Sequence, residues 1–150
     1  MWLFSLCLLA LLLWFGLGAA RRRLAARRAM AMTARIRGAG KYAVDVVGES
    51  HYRQNFVSLK AKAQPDDDDD EWFGDALLKL ENANPHDGQA VAVFVDGLQV
   101  GYLSRSMARD FRSAMARDGL AARNEFAVGA RLYWGGDEGL FSVTLDLPMP

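Results

Sequence analysis

After Gly40 the chain alternates: Tyr42, Val44 and Val46 fall on one face of an extended segment, and Ala43, Asp45 and Val47 on the other. A period of two is the pattern of a half-buried strand. Strand character returns in WFGDALLKLE (72–81) and again in AVAVFVDGLQVGYL (90–103), where Asp96-Gly97 divides two apolar, β-branched runs. Asp-Gly at that place predicts a hairpin with a type I′ turn, because both central residues need positive φ. NEFAVGARLYW (124–134) and LFSVTLDL (140–147) predict two further strands, joined by the Gly-rich turn GGDEG. In between, Met107, Phe111 and Met115 recur at i, i+4 and i+8, the stripe of a helix facing a core. That helix is expected from Ser106 to Asp118, with Ser104 or Ser106 as N-cap and Gly119 past its end. RQNFVSLKAKA (53–63) fits a short helix and an irregular strand equally. About six strands and one firm helix predict a mainly β domain with a flanking helix (α+β), a small six-stranded barrel rather than a doubly wound sheet.

The first twenty residues, MWLFSLCLLALLLWFGLGAA, break this texture, being almost wholly apolar and without a charged side chain. About 20 such residues span the hydrocarbon of a bilayer as a helix, so residues 1–20 read as one N-terminal transmembrane anchor. A cleavable signal peptide competes, favoured by Gly16, Gly18, Ala19 and Ala20, but the positive stretch that normally opens such peptides is missing. Seven arginines and no acid follow between Arg21 and Gly40. Arginines flanking a span stay in the cytoplasm, which predicts a single-pass membrane protein with its C-terminal domain there. Arg21 to Arg37 then lie against anionic lipid headgroups, so that 21–40 is a basic juxtamembrane linker and 41–150 the folded domain. IRGAGK lacks the spacing of a phosphate loop.

Charge is segregated along the chain. All eighteen acids lie after Gly40, against eleven Lys and Arg there, so the domain carries about seven net negative charges. A concentrated acidic run, QPDDDDDE, interrupts it at 64–71. It lacks the alternating ligands and central Gly of a calcium loop and reads as a solvated surface loop at 66–71. Cys7 is the only cysteine, which excludes an internal disulfide and a four-thiolate zinc site. Arg105, Arg109 and Arg112, at i, i+4 and i+7 of the predicted helix, are the one concentrated positive stripe in the domain. No nucleophile elbow, Walker motif or spaced metal-ligand set is present, so neither an enzyme nor a cofactor is expected.

The candidate chemistry sits in ENANPHDGQAVAVFVDGLQVGYLSR (81–105). Asn84, Pro85 and Asp87 are residues that build turns by capping backbone N–H groups and fixing φ. They are equally placed to form the rim of a pocket on the hairpin. His51 and His86 are the only histidines, and with Asp87 they also permit a His-His-Asp metal set as a weaker alternative.

VVGESHY, then LKLENANPHDGQAVAVFVDGLQVGYLSRSMA, then FSVTLDL, in that order, resemble the HIRAN domain over roughly residues 43 to 147. The resemblance is most specific from Asn84-Pro85-His86-Asp87 through Ala90-Val91-Ala92-Val93 to Gly101-Tyr102-Leu103. It implies a modified OB-like β-barrel that holds the 3′ end of single-stranded DNA, two aromatic residues sandwiching the terminal base and an Asp bonding near the 3′-hydroxyl. By motif position the sandwich falls on His51 and His86 and the acid on Asp87. Ser50 stands where such members can have Arg, and Asn84, Tyr102, Arg105 and Phe141 at other pocket positions. Both sandwich residues are His where Tyr is more familiar; imidazole stacks on a base with a smaller face, and Ser50 removes a phosphate contact. The expected function is a membrane-tethered module for single-stranded DNA 3′ ends. The alternative is a protein-interaction adaptor at the cytoplasmic membrane face, with an unknown protein partner and no nucleic acid, which the acidic surplus of the domain favours.

Overall fold

A computed structural model of the chain describes residues 33–63, 70–135 and 140–148. The elements run β1 (Ala34–Arg35), β2 (Val44–Val47), a 3-10 turn (Glu49–Tyr52), α1 (Arg53–Ala63), β3 (Glu71–Leu80), β4 (Val91–Val95), β5 (Leu98–Leu103), α2 (Arg105–Arg117), β6 (Glu125–Tyr133) and β7 (Ser142–Asp146). The strands pair in the order β6-β3-β4-β5-β2-β7, and β7 pairs back onto β6. Every one of these pairings is antiparallel. The result is a closed six-stranded barrel, consistent with an OB-like fold. Closure removes the free edges that an open sheet would expose. β1 lies in the stretch read as linker from the sequence, yet it pairs parallel with Phe126 and Ala127 of β6, on the edge that β7, paired from Gly129 onward, leaves open. Arg35 of β1 donates to both carboxylate oxygens of Asp75 in β3.

Alternation sets the barrel interior. Val44 and Val46 of β2 are buried while Asp45 and Val47 face out, and Phe126, Val128, Ala130 and Leu132 of β6 join Val91, Val93 and Val95 of β4 in one core with Leu78, Val143 and Leu145. Burying such side chains is worth roughly 1.5–3 kcal/mol each, and no buried charged residue among those described offsets it.

The hairpin forms as expected. Asp96 and Gly97 both have positive φ (49° and 81°), and Val95 pairs with Leu98 across them. Farther along, the β4–β5 register shifts by one residue between Val93 and Phe94, which leaves Val100 as the extra residue of a bulge and bends β5. Beyond the bend β5 leaves room for β2: a Cβ on Gly101 would lie 2.5 Å from both Val46 Cγ1 and the Val47 carbonyl oxygen. Glycine stands there because two strands approach too closely for any side chain.

α2 starts at Arg105, with Ser104 rather than Ser106 as its cap: the Ser104 hydroxyl accepts from Met107 N at 3.3 Å. It ends in a left-handed Gly119 (φ 74°), with Leu120 N bonded to Met115 O and Gly119 N to Ala116 O, the double bond of a Schellman stop. Phe111 meets Phe126 edge-on at 5.3 Å. The segment 53–63 is a helix, α1, whose buried residues are Phe56 and Leu59; Asn55 Nδ2 ties it to the Gln99 carbonyl at 2.8 Å.

The anchor expected at 1–20, the arginines from Arg21 to Arg28, most of the acidic loop and the GGDEG turn beyond Gly135 lie outside the described residues. Among those described, no helix is long and apolar enough to cross a membrane.

Candidate nucleic-acid interface

The loop between β3 and β4 is a built object. Its neck closes where Glu81 N donates to Ala90 O at 3.0 Å. Inside it Asn84 acts as a brace: Oδ1 accepts from His86 N (2.9 Å) and Asp87 N (3.2 Å), and Nδ2 donates to Glu81 Oε2 (2.6 Å). Satisfying two successive N–H groups with one amide oxygen leaves His86 exposed on the crest of the turn. Asp87 divides its carboxylate: Oδ1 accepts from Gln89 N at 2.9 Å, and Oδ2 faces Arg105 Nε at 3.9 Å. The turn role and an outward-facing oxygen therefore coexist in one side chain. The Arg105 side chain is 79% exposed, so the pair is loose and solvent-screened.

Arg112 fastens this loop to α2. Its guanidinium donates to the Gln89 carbonyl (2.8 Å), the Ala90 carbonyl (3.0 Å) and Asn82 Oδ1 (2.7 Å), and partial burial lowers its pKa. In the arginine stripe read from the sequence, Arg112 is thus structural, Arg105 faces Asp87, and Arg109 is exposed.

Tyr102 projects from β5 beside Ala92 of β4 and Val47 of β2. Its ring lies 6.4 Å from that of Tyr52, the residue after His51. Burial, then the hydrogen bond to Tyr102, pushes the Tyr52 hydroxyl up to about 12, and the Glu81 carboxylate adds to this. Glu81 thus acts on the Tyr52 hydroxyl and also accepts from Asn84 of the 81–90 loop. His51 is exposed on the 3-10 turn, next to Tyr52 in the chain.

Ser50 and Phe141 fall into a separate cleft of about 290 Å³, shared with Gly48, Glu49, Arg53 and Leu140. Phe141 stacks on Phe56 of α1 (5.2 Å, 19°) and carries the Arg53 guanidinium over its ring at 5.7 Å. Glu49 turns inward, accepting from Val143 N at 3.1 Å, and burial raises its pKa. Tyr52, Arg53 and Glu49 lie among the candidate site residues without standing out in the sequence. A helical reading of 53–63 would have flagged Arg53, three residues before Phe56 and on the same face. A larger apolar recess, about 390 Å³ between α2 and Leu147, holds none of the residues expected at the site. Nor do three of His, Cys, Asp or Glu converge as a metal-binding group among the described residues, so the His51, His86 and Asp87 metal set is not assembled.

Residues 40–131, more than half of the chain, match the HIRAN domain family. The chain belongs to that family. HIRAN domains are generally associated with DNA binding. The match takes in the 3-10 turn, the braced loop, β5 and α2, and stops short of Phe141 and β7. No curated protein matches the chain. Its HIRAN fold is similar to the crystal structure of a protein from Lactobacillus plantarum, at 16% identity and a TM-score of 0.43, covering 68% of this chain and 85% of that one; at that score the likeness carries no weight.

Proposed function

We propose that this HIRAN domain is a non-catalytic module that receives the 3′ end of single-stranded DNA on the rim formed by the 81–90 loop, His51 and the Tyr52–Tyr102 pair. The observation that carries this reading is the division of Asp87. One oxygen holds the turn and the other faces Arg105 only loosely, at 3.9 Å. A carboxylate oxygen so placed accepts a hydrogen bond from a terminal hydroxyl and repels a terminal phosphate. Exposed His86 and His51 supply flat faces for a base, at the low end of the ~1–3 kcal/mol typical of base–aromatic stacking. Recognising an end needs few phosphate contacts, which suits a domain with about seven net negative charges better than tracking along a strand would. In the same reading, the apolar stretch at 1–20 holds the module at the cytoplasmic membrane face.

The test is a binding titration with single-stranded oligonucleotides that differ only in a 3′-hydroxyl or a 3′-phosphate. A preference for the hydroxyl that Asp87→Ala abolishes is the expected result. Equal binding of the two ends by the unmodified protein overturns the reading and leaves the acidic domain as a protein-interaction adaptor.

A further inference from the structure

α2 has three faces, and two of them are occupied within the domain. Phe111 and Met115 are buried in the core, while Arg105 and Arg112 turn to the 81–90 loop. The third face carries Met107, Asp110, Ser113, Ala114 and Arg117, which share one side of the helix at about 100° per residue. All five border the apolar recess of about 390 Å³, whose opposite wall is Ile36, Leu147 and Pro148. Asp110 and Arg117 are exposed, and neither has an ion-pair partner among the described residues.

This face is complementary to itself. Asp110 and Arg117 stand seven residues apart, equally far from the midpoint between Ser113 and Ala114, a spacing of about two turns. An acid at one end and a base at the other call for a helix that offers the reverse order. A second α2 laid antiparallel supplies it: Asp110 meets the partner's Arg117, and Arg117 meets the partner's Asp110. Ser113 and Ala114 fall at the crossing, where small side chains let helix axes approach to about 8 Å.

We propose that the recess beside α2 is a self-association surface, on which a second copy of this chain lays its α2 antiparallel about a twofold axis between Ser113 and Ala114. The contact is isologous and closes at two copies. Arg105 and Arg112 lie on the far side of the helix, so a dimer leaves both 81–90 loops open. One helix pair buries less than the roughly 800 Å² per partner of a standard interface, and each domain carries about seven net negative charges. An affinity of about micromolar or weaker is therefore expected.

The 150-residue chain, kept in a non-ionic detergent, is followed by sedimentation over a concentration series. The parent should pass from monomer to dimer. Asp110→Arg and Arg117→Asp should each weaken the dimer at least about tenfold, because each sets like charges opposite one another. An equimolar mixture of the two variants should recover it, since each chain then meets the opposite charge on the other. Both residues are exposed, so the variants should melt like the parent. Recovery in the mixture is a result that neither misfolding nor association through residues 1–20 would give. A parent that stays monomeric throughout overturns the proposal and leaves the recess to a helix of another protein or to a small apolar ligand. Single variants that associate as the parent does overturn it as well, and place the contact elsewhere on the chain. Single variants that dissociate without recovery on mixing overturn the antiparallel pairing, and the proposal with it.

Discussion

The Arg112 guanidinium on α2 holds the Gln89 carbonyl of the β3–β4 loop at 2.8 Å, so the helix after the hairpin fixes the loop before it. Two further bonds, to Ala90 O and Asn82 Oδ1, make the contact a three-point clamp. Arg112→Ala should therefore cost about 1–3 kcal/mol, since it leaves three acceptors to find new partners. Thermal melts measure the loss, and hydrogen exchange should place it at the loop, with the Glu81 and Ala90 amides exchanging faster. Arg112→Lys should rescue little, because one ammonium cannot span three acceptors.

Ser104 and Ser106 are alternative caps by sequence, and their side chains lie 3.2 Å apart. Only the Ser104 hydroxyl accepts from Met107 N. Ser104→Ala should destabilise the domain by about 1 kcal/mol in denaturant titrations, as a lost N-cap does. Ser106→Ala, on the exposed first turn, should change stability by less than about 0.5 kcal/mol.

Gly97 and Gly101 both look like hairpin glycines, but they answer to different constraints. Gly97 needs its positive φ and has open space around the missing Cβ, whereas Gly101 would drive a Cβ into Val46 and the Val47 carbonyl. Gly97→Ala should thus cost about 1–2 kcal/mol, the left-handed penalty. Gly101→Ala should cost about 3 kcal/mol, as overpacking against backbone does, and its melting temperature should be clearly the lower of the two.

This contrast shows which parts of the molecule were legible in the chain. Asp96-Gly97 and the Met107, Phe111, Met115 stripe are local signals, and the hairpin and α2 form where they predict. Neighbouring residues decide such elements. The α1 segment is ambiguous in the sequence because only Phe56 and Leu59 are buried on a largely exposed helix, too few to mark a helical period. β1 was hidden because two residues inside an arginine-rich stretch gain strand geometry only from the edge that β6 offers. At the site, Asn84, His86 and Asp87 stood out by type and spacing. The clamp by Arg112 and the platform under Arg53 did not, since each joins residues from distant parts of the chain, and only the closed barrel brings them together.

Glu49 supplies a pH signature. Burial raises its pKa in the folded state, so folding favours the protonated form. The stability tied to that proton is fully present below the ordinary carboxylate pKa and is lost as pH rises through the raised one. Glu49→Gln keeps an oxygen for Val143 N and removes the titration. The variant should match the parent in acid and melt above it at neutral pH, with the difference growing through the carboxylate range. A constant difference across pH would mean that the Glu49 carboxylate is not desolvated in this way.

Asn84 provides the sharpest link between loop geometry and binding. Its Oδ1 serves two backbone N–H groups and its Nδ2 serves the Glu81 carboxylate, so two substitutions separate the roles. Asn84→Asp keeps an acceptor for His86 N and Asp87 N, loses the donor and sets two carboxylates side by side. It should cost about 1 kcal/mol at neutral pH and recover in acid as the carboxyls protonate. Asn84→Ala removes the acceptor as well. It should cost about 1–3 kcal/mol, with no comparable recovery, and should release the turn that aims His86 and Asp87. If that aim is what selects a 3′-hydroxyl, Asn84→Ala should lose the preference over a 3′-phosphate even at temperatures where the domain stays folded, while Asn84→Asp retains it in part. Equal end preference in both variants and the parent would show that the brace stabilises the loop without shaping the site.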